Sequence, residues 1–167
     1  MGLIFDLDQT LIDSSPAEPH RGKNWKIACS KIGQFTLYPG IIEAVQQFNQ
    51  RGIKICIVTT SVSYYCEQVL DFWKLPYDFK VCYHDTDRRK PAPDPILKAL
   101  DFLKYPAQKV LSFGDRDIDI IASNRANVLS VACMWGSADV VALKSARPTY
   151  SISSAEEMVR LVNQFWS

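Results

Sequence analysis

Gly2-Leu3-Ile4-Phe5-Asp6-Leu7-Asp8-Gln9-Thr10 joins a short apolar run to two aspartates two positions apart. The run is long enough for one buried strand and too short for a core helix. Similar runs, partly β-branched, recur at 53–58, 79–83, 110–113 and 128–132. Amphipathic stretches between them predict helices over 41–50, 64–73, 95–103 and 118–124, and a last one over 155–165. In the first, Ile41, Ala44, Val45 and Phe48 recur three and four apart, with Pro39-Gly40 as a start signal and Gly52 as a stop. In the last, Met158, Leu161, Val162 and Phe165 share a face. Near-continuous apolar strands alternating with helices predict a three-layer α/β/α sandwich around a Rossmann-like, mostly parallel sheet.

The 167 residues predict a single domain spanning 1–167. A hydrophobic content of 47% and a charged content of 22% exclude a disordered chain, a collagen repeat and a disulfide scaffold. Nineteen basic against 18 acidic residues leave a net charge of +1, which argues against broad attraction to nucleic acid. A local basic patch stays open, so nucleic acid is not excluded as a partner. No run reaches the roughly 18–20 apolar residues of a membrane helix, so no membrane partner is expected. Two aspartates and the lack of a basic leader argue against a signal peptide at the N-terminus. The five cysteines include no CxxC and no zinc spacing, which predicts reduced, mostly buried thiols in a cytoplasmic protein.

In parallel sheets ligands bind beyond the carboxyl ends of the strands. Four strand-end or loop segments carry suitable chemistry: Asp6-Leu7-Asp8, Thr59-Thr60-Ser61, Arg88-Arg89-Lys90-Pro91, and Gly114-Asp115-Arg116-Asp117-Ile118-Asp119. Clustered carboxylates repel unless a cation neutralises them, and an all-oxygen donor set suits Mg²⁺. A hydroxyl at Thr59 and an ammonium at Lys90 suit phosphoryl oxygens. The combination predicts nucleophilic phosphoryl transfer. Taken singly, each segment reads as a turn, a helix cap or an exposed loop; their order and shared placement carry the inference.

These segments resemble the motifs of the haloacid dehalogenase-like hydrolases, most of which are Mg²⁺-dependent phosphatases. Asp6 to Thr10 is similar to the DxDx[TV] motif, Ile57-Val58-Thr59-Thr60 to the strand ending in a hydroxyl residue, Lys90-Pro91 to the lysine motif, and Gly114 to Asp119 to GDxxxD. The resemblance covers about residues 2–165. It implies that Asp6 attacks phosphorus and forms an aspartyl-phosphate, with Asp8 as general acid and then general base. It implies that the Asp6 carboxylate, the Asp8 carbonyl and Asp115 hold Mg²⁺, with Asp119 in support through water or Lys90. Thr59 and the amide of Thr60 would bind phosphoryl oxygens, and Lys90 would orient Asp6. Asp117 lies off the pattern and reads as a helix-start residue. Gln9 stands where many members have glycine and could crowd or contact substrate; Arg116 stands where many have a small residue and reads as a solvent-facing or ion-paired surface residue, or as one that reaches substrate.

Members of this family often carry a cap domain between the first and second or the second and third motifs. Here 53 positions separate Asp6 from Thr59 and 31 separate Thr59 from Lys90. Neither interval holds a full cap once its helices and strands are counted. A capless member is expected, with residues 11–38 as a short flap and helix, and with an open site or one covered by a second copy in a homo-oligomer. Within that segment His20-Arg21-Gly22-Lys23-Asn24-Trp25 could bind an anionic or nucleotide substrate, by stacking on Trp25 and pairing with Arg21 or Lys23. Its other reading is a solvated loop followed by a helix over 25–32 whose aromatic packs on the domain. Arg88 and Arg89 would add positive charge to the same rim. The expected function is hydrolysis of a phosphate monoester, with a small molecule favoured as substrate. The alternative is a catalytically weak or inactive binding or regulatory protein of the same fold. A mutase would need a cap to keep water from its intermediate, a dehalogenase needs neither Asp8 nor Asp115, and a receiver domain would order its acidic residues and lysine differently.

Overall fold

The computed structural model describes residues 1–166. Its centre is a six-stranded parallel sheet: β1 (Gly2–Phe5), β2 (Lys54–Val58), β3 (Phe79–Val81), β4 (Val110–Gly114), β5 (Leu129–Cys133) and β6 (Tyr150–Ile152). The spatial order is β3-β2-β1-β4-β5-β6. The order reverses at β1, which lies between β2 and β4. Phe5 is in register with both Ile57 and Phe113. The first, second and fourth strands therefore end side by side.

Successive strand residues point to opposite faces, and the packing follows that rule. Leu3, Phe5, Ile55, Ile57, Leu111 and Phe113 belong to one apolar cluster, and the Phe5 and Phe113 rings stack at 4.7 Å. That face is covered by α1 (Trp25–Ser30), α2 (Ile41–Gln50), α3 (Ser63–Phe72) and α7 (Ala155–Phe165). Ile4, Cys56, Val58 and Val110 join the opposite cluster, under α4 (Asp94–Leu103) and α5 (Asp117–Arg125). Helices on both faces give the expected three layers.

The 41–50 and 155–165 stripes form α2 and α7 with the predicted bounds. Two elements had too little apolar signal to read. α6 (Val140–Ser145) has only Leu143 buried, and β6 only Ile152. The run at 79–83 leaves the sheet early. After Val81, the Cys82 amide donates to the Asp85 carboxylate at 2.7 Å and the Tyr83 amide donates to the Ser61 carbonyl at 2.9 Å. α1 stops at Ser30 instead of continuing to 32. Residues 11–38 contain α1 and two 3-10 turns, Ser15–Ala17 and Ile32–Gln34. The interval from Thr59 to Lys90 contains α3 and β3, with no inserted domain. All five cysteines are free, four of them buried. Among the described residues no helix is long and apolar enough to cross a membrane.

Candidate active site

Asp6 follows β1 directly, and its amide donates to the Phe113 carbonyl of β4 at 2.9 Å. Asp115 follows β4. Its carboxylate accepts a hydrogen bond from the Thr10 hydroxyl at 3.0 Å, and the Thr10 carbonyl accepts in turn from the Trp135 indole at 3.0 Å. Asp119 lies in the first turn of α5, and its carboxylate accepts from the Arg116 amide at 3.0 Å, capping that helix. A side chain at Gly114 would clash, because a Cβ there would sit 2.3 Å from that of Asp119. One carboxylate oxygen from each of Asp6, Asp115 and Asp119 lies within 4.8 Å of the others.

Lys90 reaches this cluster from the β3–α4 connection. Its ammonium donates to Asp119 at 2.6 Å, to Asp6 at 2.8 Å and to the Val58 carbonyl at 2.9 Å, using all three protons. Burial works against that charge, but Asp119 and Asp6 more than offset it, so the lysine pKa lies above its ordinary value. Asp119 therefore engages Lys90 directly. Thr59 follows β2 directly; its hydroxyl accepts from the Ser61 amide at 3.0 Å and keeps its own proton to donate. Thr60 lines the same cavity, of about 480 Å³, as Asp6, Asp8, Lys90 and Asp115.

Asp8 is held by residues that its spacing did not reveal. Its carboxylate accepts from the Ser14 hydroxyl at 2.6 Å, the Tyr65 phenol at 2.7 Å and the Ser61 hydroxyl at 2.8 Å, and it pairs with the Arg21 guanidinium at 2.9 Å. Burial, and then the Asp8 charge, raise the Tyr65 phenol above its ordinary pKa and keep it a donor. Gln9 has a left-handed backbone (φ 64°), and its side-chain carbonyl turns back to accept from the Ser14 amide at 2.7 Å. Gly136 packs so closely on the Gln9 carbonyl that a Cβ would approach it to 1.6 Å.

The acid cluster carries more negative charge than Lys90 balances. Burial pushes the Asp6 carboxyl up to about 6, and Asp119 and Asp8 reinforce that against Lys90. Burial, then the charges of Asp6 and Asp119, push Asp115 up to about 9. A hard divalent cation with oxygen ligands fits such a set. Asp6 and Asp115 are the carboxylates open to it, since Asp119 is already taken by Lys90 and the Arg116 amide.

The haloacid dehalogenase-like hydrolase sequence profile matches residues 18–133, most of the chain. The chain belongs to the haloacid dehalogenase-like hydrolases. The matched span contains Thr59, Lys90, Asp115 and Asp119 and leaves Asp6 and Asp8 outside it. Among curated relatives, it is 30% identical to a phosphoglycolate phosphatase of Aquifex aeolicus (75% of this chain, 59% of the relative). It is also 30% identical to a pyrophosphatase PpaX of Bacillus mycoides (76% and 60%). The chain thus spans less than two thirds of those relatives' length. A hydrolase from Pseudomonas syringae shares the fold, with a TM-score of 0.81 at 20% identity over 99% of both chains.

The remaining site expectations for this family member divide. Asp117 begins α5, as its place off the motif suggested. Arg116 is exposed and lines the cavity. Arg88 and Arg89 turn away from it: Arg88 pairs with Asp94 at 3.0 Å, and the Arg89 guanidinium lies 4.1 Å from the centre of the Tyr83 ring. Each has a nearer partner than the carboxylate cluster. Trp25 packs on Tyr65 at 5.2 Å and also borders a second cavity, so both readings of the 20–25 segment describe part of it.

Proposed function

We propose that the chain is a Mg²⁺-dependent phosphatase that hydrolyses a small phosphate monoester through an aspartyl-phosphate on Asp6. The observation that carries this is the Lys90 ammonium, which bridges Asp6 and Asp119 beside a third buried carboxylate, Asp115. Asp6 supplies the nucleophilic oxygen, and Lys90, at 2.8 Å, favours its ionised form and fixes its direction. The Asp6 carboxylate, the Asp8 carbonyl and Asp115 would hold Mg²⁺, which supplies Lewis-acid stabilisation of phosphoryl charge when bound. The Thr59 hydroxyl and the Thr60 amide donate to the phosphoryl oxygens.

Asp8 gives a proton to the departing alcohol oxygen. It then takes one from the water that attacks the phosphoenzyme, releasing phosphate and regenerating Asp6. The four donors on Asp8 occupy its oxygens as an acceptor, the form that activates water. Delivering a proton requires it to leave part of that cage. Residues 11–38 stand in place of a cap within a single domain. The names of the curated relatives, phosphoglycolate phosphatase and pyrophosphatase, support a small phosphorylated substrate.

The test is phosphate release from a panel of monoesters with Mg²⁺. The wild type is expected to turn over, and Asp6→Asn to lose at least about a thousandfold, as expected for loss of a nucleophile. Retained turnover in Asp6→Asn would refute the covalent route. An inactive wild type across the panel would favour a binding or regulatory protein.

A further inference from the structure

A second cavity, of about 560 Å³, adjoins the catalytic one, and Glu18, Arg21, Thr60 and Arg116 border both. Three rings line it: Trp25 from α1, and Tyr83 and His84 from the connection after β3. Tyr83 is fixed from several sides. Its amide donates to the Ser61 carbonyl at 2.9 Å, the Arg89 guanidinium lies 4.1 Å from its ring centre, and the His84 ring meets it edge-on at 4.9 Å. Tyr83 is nevertheless 38% exposed. Trp25 is held by Tyr65, whose hydroxyl binds Asp8. At the junction, Arg21 gives Nη1 to Asp8, while its buried Nε has no partner.

We propose that this second cavity is the leaving-group subsite, and that it selects phosphate monoesters whose alcohol carries an aromatic ring. The inference rests on the phosphatase reading of the adjoining cavity. Fixed aromatic walls lose little entropy when a flat ring stacks on them. The cavity falls within the roughly 300–1,000 Å³ range of small-molecule sites. A compact anionic leaving group would leave the ring-lined wall without contact and would meet the Glu18 carboxylate beside Arg21 and Arg116. An acceptor atom between the phosphoryl group and the ring would satisfy the free Arg21 Nε.

Phosphonates, which the reaction cannot cleave, separate binding from turnover. With Mg²⁺ present, titration calorimetry would compare benzylphosphonate, methylphosphonate and phosphonoacetate. Stacking on an aromatic side chain predicts a benzyl-over-methyl preference of about tenfold or more. That ratio is expected to fall toward one in Tyr83→Ala and in Trp25→Leu, and to persist in Phe72→Ala, an exposed ring outside both cavities. Trp25 also supports Tyr65, so Tyr83→Ala decides the matter if Trp25→Leu misfolds. Equal affinity for the benzyl and methyl compounds would overturn the proposal. So would a preference for phosphonoacetate with a ratio unmoved by Tyr83→Ala. Absence of binding by all three would overturn both the subsite and the phosphatase reading. Retained benzyl preference with no hydrolysis of benzyl phosphate would overturn the phosphatase reading alone.

Discussion

Replacing Lys90 with methionine keeps an unbranched side chain one atom shorter and removes the charge that Asp6 and Asp119 share. The Lys90 side chain is 3% exposed, and those of Asp6 and Asp119 are 11% and 6%. Removing one partner from a buried ion pair costs about 3–5 kcal/mol, because the remaining charge keeps its desolvation penalty. At about 2–4 °C per kcal/mol for a chain of this size, thermal melts in chelator at pH 8 should fall by about 6–20 °C. The loss has a direction in pH. Burial already holds the Asp6 carboxyl above its unfolded value of about 4, and losing the Lys90 charge raises it further, so the folded protein holds that proton more tightly than the unfolded chain. The penalty grows as pH rises from there toward the folded Asp6 pKa and shrinks as pH falls. The Tm deficit at pH 5 should therefore be clearly smaller than at pH 8. A deficit below about 2 °C at pH 8, or one equal at both pH values, would show that Lys90 does not carry this charge balance.

Three further outcomes follow from the same geometry. Asp6 and Asp115 have folded pKa values raised to about 6 and about 9, so metal-free stability should decline as pH rises from about 4 toward 9. Mg²⁺ competes with those protons, so it should raise Tm more at pH 8 than at pH 6. Asp115→Asn should flatten the metal-free decline and reduce the Mg²⁺ effect; an unchanged Mg²⁺ shift in that variant would count against Asp115 as a ligand. Gly136→Ala puts a methyl group against the Gln9 carbonyl and should cost about 1–3 kcal/mol or more in urea unfolding, with slower turnover because the Asp6–Thr10 loop must move; wild-type values for both would contradict the close approach. Tyr65→Phe removes one donor to a buried carboxylate that keeps three others, a loss of about 1–3 kcal/mol by denaturant titration.

The strands that lead into the candidate site were legible because each is an apolar run with polar residues at its carboxyl end. Parallel pairing then brings Asp6, Thr59 and Asp115 to one edge, whatever the loop details. α6 and β6 were not legible, because one buried residue apiece makes no period. The cage around Asp8 escaped for a different reason. Ser14, Tyr65 and Arg21 lie 6, 57 and 13 positions from Asp8 and belong to no spaced pattern; only the folded chain brings them together. The available signals were Arg21 in a basic stretch near the first motif and Ser61 in the segment after β2. Arg88 and Arg89 misled by adjacency to Lys90, since sequence neighbours in an irregular connection need not point the same way.

Asp6 is tied to the sheet by its own main-chain hydrogen bond to Phe113. Arg21 and Trp25 belong to a surface segment that no strand fixes. The cleft thus has one wall that can shift only if the sheet breaks, and another that can be rebuilt without disturbing it. For anyone redesigning this protein, the proposed leaving-group wall could be recut within residues 15–31 while Asp6 stays fixed to the sheet, provided that Arg21 keeps its ion pair with Asp8 and position 25 keeps its packing on Tyr65.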